Sequence, residues 1–231
     1  MRRWLIALAL AFWLAGCGRT PIQQQEAYVF GTRVEVLVAD AEPAKARTAI
    51  ATVLREFDRL HRAYHAWQPS ELTALNEAIG AGRPHTVTPE FAAFIGEAQA
   101  LAARGDHLFD PGIGRLIELW GFHADEFKGS VPALPAIEAW RRSHPSIADL
   151  VLEGTTVKSR NRDVALDFGG YLKGAALDRA AALLRSQGIA NALINIAGPT
   201  DLKLQEASAA TELVRKAIHP EAQIIWGLAL D

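Results

Sequence analysis

The chain has one cysteine, Cys17, so no disulfide can form within it. Neither charge sign is in excess. The formal net charge is -2 at pH 7 and the signs are interspersed, which excludes the basic stripe that nucleic-acid binding needs. No glycine-rich loop of the P-loop pattern is present, and no spacing argues for a Ser/His/Asp nucleophile–base set. The apolar run Trp4–Ala15 falls short of the ~20 residues that a membrane-spanning helix requires. What is there is globular in character. With 231 residues, 50% hydrophobic and 22% charged, the chain can bury a core as one domain or as two small ones.

Arg2-Arg3 ahead of the Trp4–Ala15 run has the form of an export signal. It ends in Leu14-Ala15-Gly16-Cys17, which resembles a bacterial lipobox. Processing there would cleave before Cys17 and acylate it, and several acyl chains give a stable anchor. A plain secretory signal with a chance cysteine is the alternative. Gly18 in place of Asp after the cysteine resembles the pattern for outer-membrane sorting. Residues 1–16 thus read as a signal peptide and 17–26 as an acylated cysteine with a polar tether.

Beyond the tether, Tyr28–Val38 is strand-like, with Val34, Val36 and Val38 alternating with Arg33, Glu35 and Leu37 as on a sheet with one buried face. Pro43 opens a helix whose apolar stripe runs Ala46, Ile50, Val53, Leu54, Phe57, Leu60 and Tyr64. Thr88-Pro89-Glu90 opens another, with Phe91, Phe94, Ile95, Ala98, Leu101 and Ala102 on one face and Gly105 closing it. Short helices are predicted over Ile113–Leu119 and Pro135–Arg142, and a hairpin turns at Glu153-Gly154. Val164–Asp167 reads as a strand running onto Gly169-Gly170, then a helix to Gly188 with Lys173 in its first turn, then a buried strand at Leu193–Ile196. Strands and helices alternate irregularly with hairpins between them, which predicts an α+β layered domain.

The stretch Val164–Gly174 bears most directly on chemistry. A carboxylate, a glycine pair and a helix N-terminus with a lysine have the parts of a phosphate cradle. An ordinary strand-to-helix turn is the other reading. His61 and His65, four apart on a predicted helix face, have a chelating spacing but no evident third ligand, so a partly exposed pair fits better. Gly105-Asp106-His107-Leu108-Phe109-Asp110-Pro111, followed by Trp120-Gly121-Phe122, reads as a ligand-shaped turn or as a helix connector with a packed corner. Tyr64-His65-Ala66-Trp67-Gln68-Pro69 offers aromatics that can stack on a flat ring, or a plug at a helix end.

The order of these segments is more specific than any one of them. Phe30-Gly31-Thr32, Ala66-Trp67-Gln68-Pro69-Ser70-Glu71-Leu72 with Asn76, Phe109-Asp110-Pro111 with Trp120-Gly121-Phe122, and Asp167-Phe168-Gly169-Gly170 with Lys173-Gly174 and Asp178 together resemble the ApbE family of FAD:protein FMN transferases. The resemblance covers about Gln25 to Gly198. It implies a layered, T-fold related α+β domain that splits FAD and transfers FMN to a Thr or Ser of an exported flavoprotein, with Mg²⁺ on the pyrophosphate. It further implies flavin or FAD contacts at Phe30, Trp67, Leu108, Phe109, Asp110, Asp167 and Lys173, and a metal ligand at the carbonyl of Gly170.

The resemblance stops at Asn195-Ile196-Ala197-Gly198. The family's later Gly-Gly-Asp, its second metal-binding segment and the histidine before it do not follow, so the expectation is a domain without its C-terminal part. His219-Pro220 does not replace them, and 199–231 instead resembles an interior helix–strand piece of the division GTPase FtsZ, without its GTP loop. A fusion or frameshift near Ile196–Pro199 is the reading this implies. Three functions follow in order: a flavin transferase, a non-catalytic flavin-binding lipoprotein or inactive fragment, and last a filament or GTPase module.

Overall fold

The structure, a computed structural model, describes residues 21–124, 131–197 and 224–227. In chain order its elements begin with β1 (Gln23–Val29), β2 (Thr32–Ala39), α1 (Pro43–Ala63), α2 (Glu71–Gly80), β3 (His85–Thr86) and α3 (Pro89–Arg104). They continue with α4 (Gly114–Leu119), α5 (Leu134–Ser143), β4 (Leu150–Glu153), β5 (Thr156–Ser159), α6 (Gly169–Ser186), β6 (Asn191–Ala197) and β7 (Ile224–Gly227). The described residues divide into two compact units, one formed by 21–56 with 177–197 and 224–227, and the other by 57–124 with 131–176. The expected α+β class is observed.

The first unit is built on a sheet of order β1-β2-β6-β7. Val34, Val36 and Val38 of β2 are buried and stand directly opposite Ile196, Ile194 and Ala192 of β6, so the two strands share one apolar face. Ala46, Ala49, Ile50 and Val53 on α1 and Leu177, Ala180, Ala181 and Leu184 on α6 are buried as their helical spacing demands. Arg179 and Glu56 join these helices at 3.2 Å. Glu42 accepts from the amides of Ala44 and Lys45, and those bonds hold its carboxyl below the usual range.

Two expectations change here. The single strand over Tyr28–Val38 is a hairpin, because Phe30 and Gly31 (φ 57° and 71°) take the left-handed positions of a tight turn. Strand β1 also starts at Gln23, inside the segment read as a tether, because its backbone pairs with β2 from Gln23↔Val38 onward. The strand-forming part of the tail, Ile224–Gly227, lies parallel to β6. Cys17, the lipobox and His219 lie outside the described residues.

The second unit packs α2, α3 and the C-terminal part of α1 with a small antiparallel sheet of order β3-β5-β4. Its centre is aromatic. Tyr64 stacks on Phe94 at 4.7 Å, and Phe168 meets Phe94 edge-on at 4.9 Å. Thr88 caps α3 by accepting from Phe91 N, as its sequence predicts. Leu101 faces outward rather than into the core. Gly105 closes α3 without a left-handed backbone, which falls instead on Asp106 and His107.

Candidate functional site

The segment from Val164 to Phe168 places the site. Val164, Leu166 and Phe168 are buried, so an extended backbone turns Ala165 and Asp167 to the opposite side. Yet the predicted strand is absent: its ladder is a single bridge between Ala165 and Ile113. The side chain of Asn76 takes the place of a strand partner. Its Oδ1 accepts from Leu166 N at 2.7 Å and its Nδ2 donates to Leu166 O at 2.9 Å. The loop before α4 supplies the rest, with Asp167 N donating to Pro111 O and Gly114 N to Ala165 O. Only glycine fits at 114, since a Cβ there would lie 2.7 Å from Ala165 O.

Asp167 is thereby presented at the start of α6. Its Oδ1 accepts from Gly169 N at 2.7 Å, capping the helix with a carboxylate where the dipole favours one. Its Oδ2 lies 2.8 Å from His123 Nε2, and both side chains are about nine-tenths buried (9% and 12% exposed). The expected phosphate cradle therefore has one helix amide already taken by an anion. Lys173 sits in the second turn rather than the first, because α6 begins at Gly169. It is half-buried, with no ion pair among the described residues.

Trp67 joins this knot through His123. The indole lies 22° from the plane of the His123 ring with centroids 5.4 Å apart, and it is 42% exposed. His65 meets its edge at 4.4 Å and accepts from the amides of Trp67 and Gln68. His61 and His65 do lie together, their ring centroids 4.9 Å apart, although α1 ends at Ala63 and His65 Nδ1 is engaged by the turn beyond it. Burial of His61 pushes its pKa below the ordinary histidine value.

The other expected site residues separate into groups. Phe109 borders the start of α6: a Cβ on Gly170 would touch its ring at 4.0 Å, and Tyr171 lies 6.1 Å away. Leu108 is 96% exposed. Asp110 belongs to the fold through its carboxylate, which accepts from Gly112 N and Ile147 N at 2.8 Å each and bonds the hydroxyl of Ser146. Phe30 lies in the turn of the first unit. His123 was not among the expected residues, and its only signal in the sequence is a position directly after Trp120-Gly121-Phe122.

Among the described residues no three His, Cys, Asp or Glu side chains cluster to hold an ion. Both oxygens of Asp167 already have partners. What the described residues do offer is a fixed, exposed indole connected through an imidazole to the capped end of a long helix. As a class, this is an α+β protein in which an exposed aromatic ring and the start of a long helix are joined through one histidine.

Comparison with known proteins makes the assignment specific. The ApbE family model matches residues 30–210, and the chain belongs to the ApbE family. It is 40% identical over 198 residues to the FAD:protein FMN transferase of Rhodobacter capsulatus, covering 84% of this chain and 38% of that protein. It is 30% identical over 209 residues to the Vibrio cholerae FAD:protein FMN transferase, covering 88% of this chain and 61% of the relative. The crystal structure of the ApbE protein from Thermotoga maritima superposes with a TM-score of 0.68 at 27% identity, over 76% of this chain and 57% of that one. The chain thus spans 38% to 61% of the lengths of these relatives. A 44-residue stretch is also 52% identical to cell division protein FtsZ 1 of Thermococcus kodakarensis, over 12% of that protein.

Proposed function

We propose that this chain is an FAD:protein FMN transferase that moves FMN from FAD to a Thr or Ser hydroxyl of an exported flavoprotein. The observation that carries the reading is the family match over residues 30–210, to which the geometry around Asp167 adds physical support. In this reading the acceptor hydroxyl loses its proton to solvent or to the departing phosphate as its oxygen bonds to the FMN-side phosphorus, the bridging P–O bond breaks, and AMP leaves. Trp67 stacks on a flat ring of FAD, with Phe109 near the same end of α6. The N-terminus of α6 and Lys173 offset the pyrophosphate charge.

The Gly170 carbonyl would be the protein ligand of a Mg²⁺ ion brought in on the pyrophosphate oxygens, and such an ion would offset the phosphate charge. The Leu14-Ala15-Gly16-Cys17 motif supports a lipid anchor at Cys17 on the periplasmic side of a bacterial membrane, the outer membrane being favoured. None of the helices among the described residues is long and apolar enough to cross a membrane.

One observation favours a second reading, an FAD-binding protein without transfer: both oxygens of Asp167 are already engaged, by Gly169 N and His123. Incubating the protein with FAD, Mg²⁺ and an acceptor flavoprotein separates the two. Flavin fluorescence that stays with the denatured acceptor supports transfer. Bound FAD with an unlabelled acceptor supports the second reading, and the absence of FAD binding contradicts both.

A further inference from the structure

We propose that His123 is a positioning residue for ring stacking: Asp167 sets the orientation of its imidazole, and the imidazole backs the indole of Trp67. The inference rests on the flavin reading above and deepens it, since it names a residue outside the motifs that carry the family resemblance. Three observations carry it. The Asp167–His123 contact of 2.8 Å fixes the imidazole within a nearly buried environment. The near-parallel 22° stack at 5.4 Å lets that fixed ring define the plane of Trp67. His65, held by the amides of Trp67 and Gln68, closes on the edge of the indole at 4.4 Å.

An exposed aromatic ring ordinarily loses rotamer freedom when a ligand stacks on it. Here that freedom is removed beforehand. The indole is braced by two imidazoles and still 42% exposed, so a flat ring meets a surface already in register. Asp167 then has two tasks at the two oxygens of one carboxylate, capping α6 and orienting His123. Displacing the carboxylate would disturb the helix end and the ring platform together.

The test titrates the full chain and its variants with FAD, and separately with FMN and AMP, following flavin emission and ligand affinity. FMN and AMP distinguish the isoalloxazine from the adenine as the ring that stacks. An aromatic pair is worth a modest amount, so His123→Ala is expected to weaken FAD binding about three- to tenfold. At saturation its bound flavin should also be less quenched, a signature that a purely structural role would not move. His123→Phe keeps a ring behind Trp67 and should recover much of both signals. His123→Gln keeps a donor for Asp167 without a ring and should resemble alanine. A folded H123A that binds and quenches as wild type does would overturn the inference and leave the flavin reading intact. Full recovery by glutamine with none by phenylalanine would also overturn it. If alanine fails to fold, the phenylalanine and glutamine variants decide. A wild-type protein that binds none of the three ligands overturns the flavin reading, and this inference with it.

Discussion

Replacing Asn76 by alanine removes two hydrogen bonds that join positions 90 residues apart, and both end on the backbone of Leu166, a fully buried residue. Asn76 is half-buried, so water replaces these bonds only in part and the N–H and C=O of Leu166 are left under-satisfied. Each such group costs about 1–3 kcal/mol, which gives a loss of roughly 2–4 kcal/mol after partial relaxation. For a chain of this length that corresponds to a fall in Tm of roughly 5–15 °C. Asn76→Asp separates the two bonds. A carboxylate still accepts from Leu166 N but donates nothing to Leu166 O, and the half-buried charge adds its own cost, so no rescue is expected. Urea unfolding followed by circular dichroism measures both variants. FAD affinity should fall as well, because Leu166 precedes the residue that caps α6 and orients His123. A stability change below ~0.5 kcal/mol for Asn76→Ala would refute the view that this side chain stands in for a strand.

Other consequences follow from the same geometry. Gly112→Ala would place a Cβ 2.4 Å from Ile147 N, against backbone that cannot easily move, and should destabilise the protein by more than ~2 kcal/mol in the same unfolding assay. Gly170→Ala meets nothing closer than the Phe109 ring at 4.0 Å, so Tm should hold or rise. A fall in FAD affinity in that variant would mark close approach of the ligand to the helix end. His61 is neutral in the folded protein over a wider pH range than in the unfolded chain, because burial lowers its pKa. Its contribution to stability is therefore complete above about pH 6.5 and declines as the pH falls below that value. His61→Gln should flatten that part of a pH series of unfolding curves.

Much of the fold is legible in the sequence where local chemistry and periodicity agree. The Thr88 cap with Pro89, and the stripe from Ala46 to Leu60, each specify a helix without outside help. The hairpin at Phe30-Gly31 is hidden because the residues on both sides are strand formers and a lone glycine is the sole punctuation between them. The stretch Val164–Asp167 shows the opposite limit. Its alternation into the core is real, but its hydrogen bonds go to an amide side chain and a loop, which no local pattern reveals.

At the site, Trp67 and Asp167 are legible through the ordered motifs. Their link is not, because His123 stands 44 residues from the carboxylate it bonds. Asp110 shows that a motif residue can spend its side chain on the fold: its carboxylate is engaged by Gly112, Ser146, Ile147 and His107. The metal site expected at Gly170 rests on a backbone carbonyl, and a carbonyl carries no residue-type signal in a sequence.

The central claim is flavin transfer, and mass spectrometry of an acceptor flavoprotein tests it most directly. The full chain is incubated with FAD, Mg²⁺ and either the wild-type acceptor or one whose flavinylated Thr or Ser is replaced by alanine. The wild-type acceptor should gain the mass of FMN with an equal release of AMP, and the alanine acceptor should stay unmodified. An unmodified wild-type acceptor in the presence of bound FAD would contradict that claim.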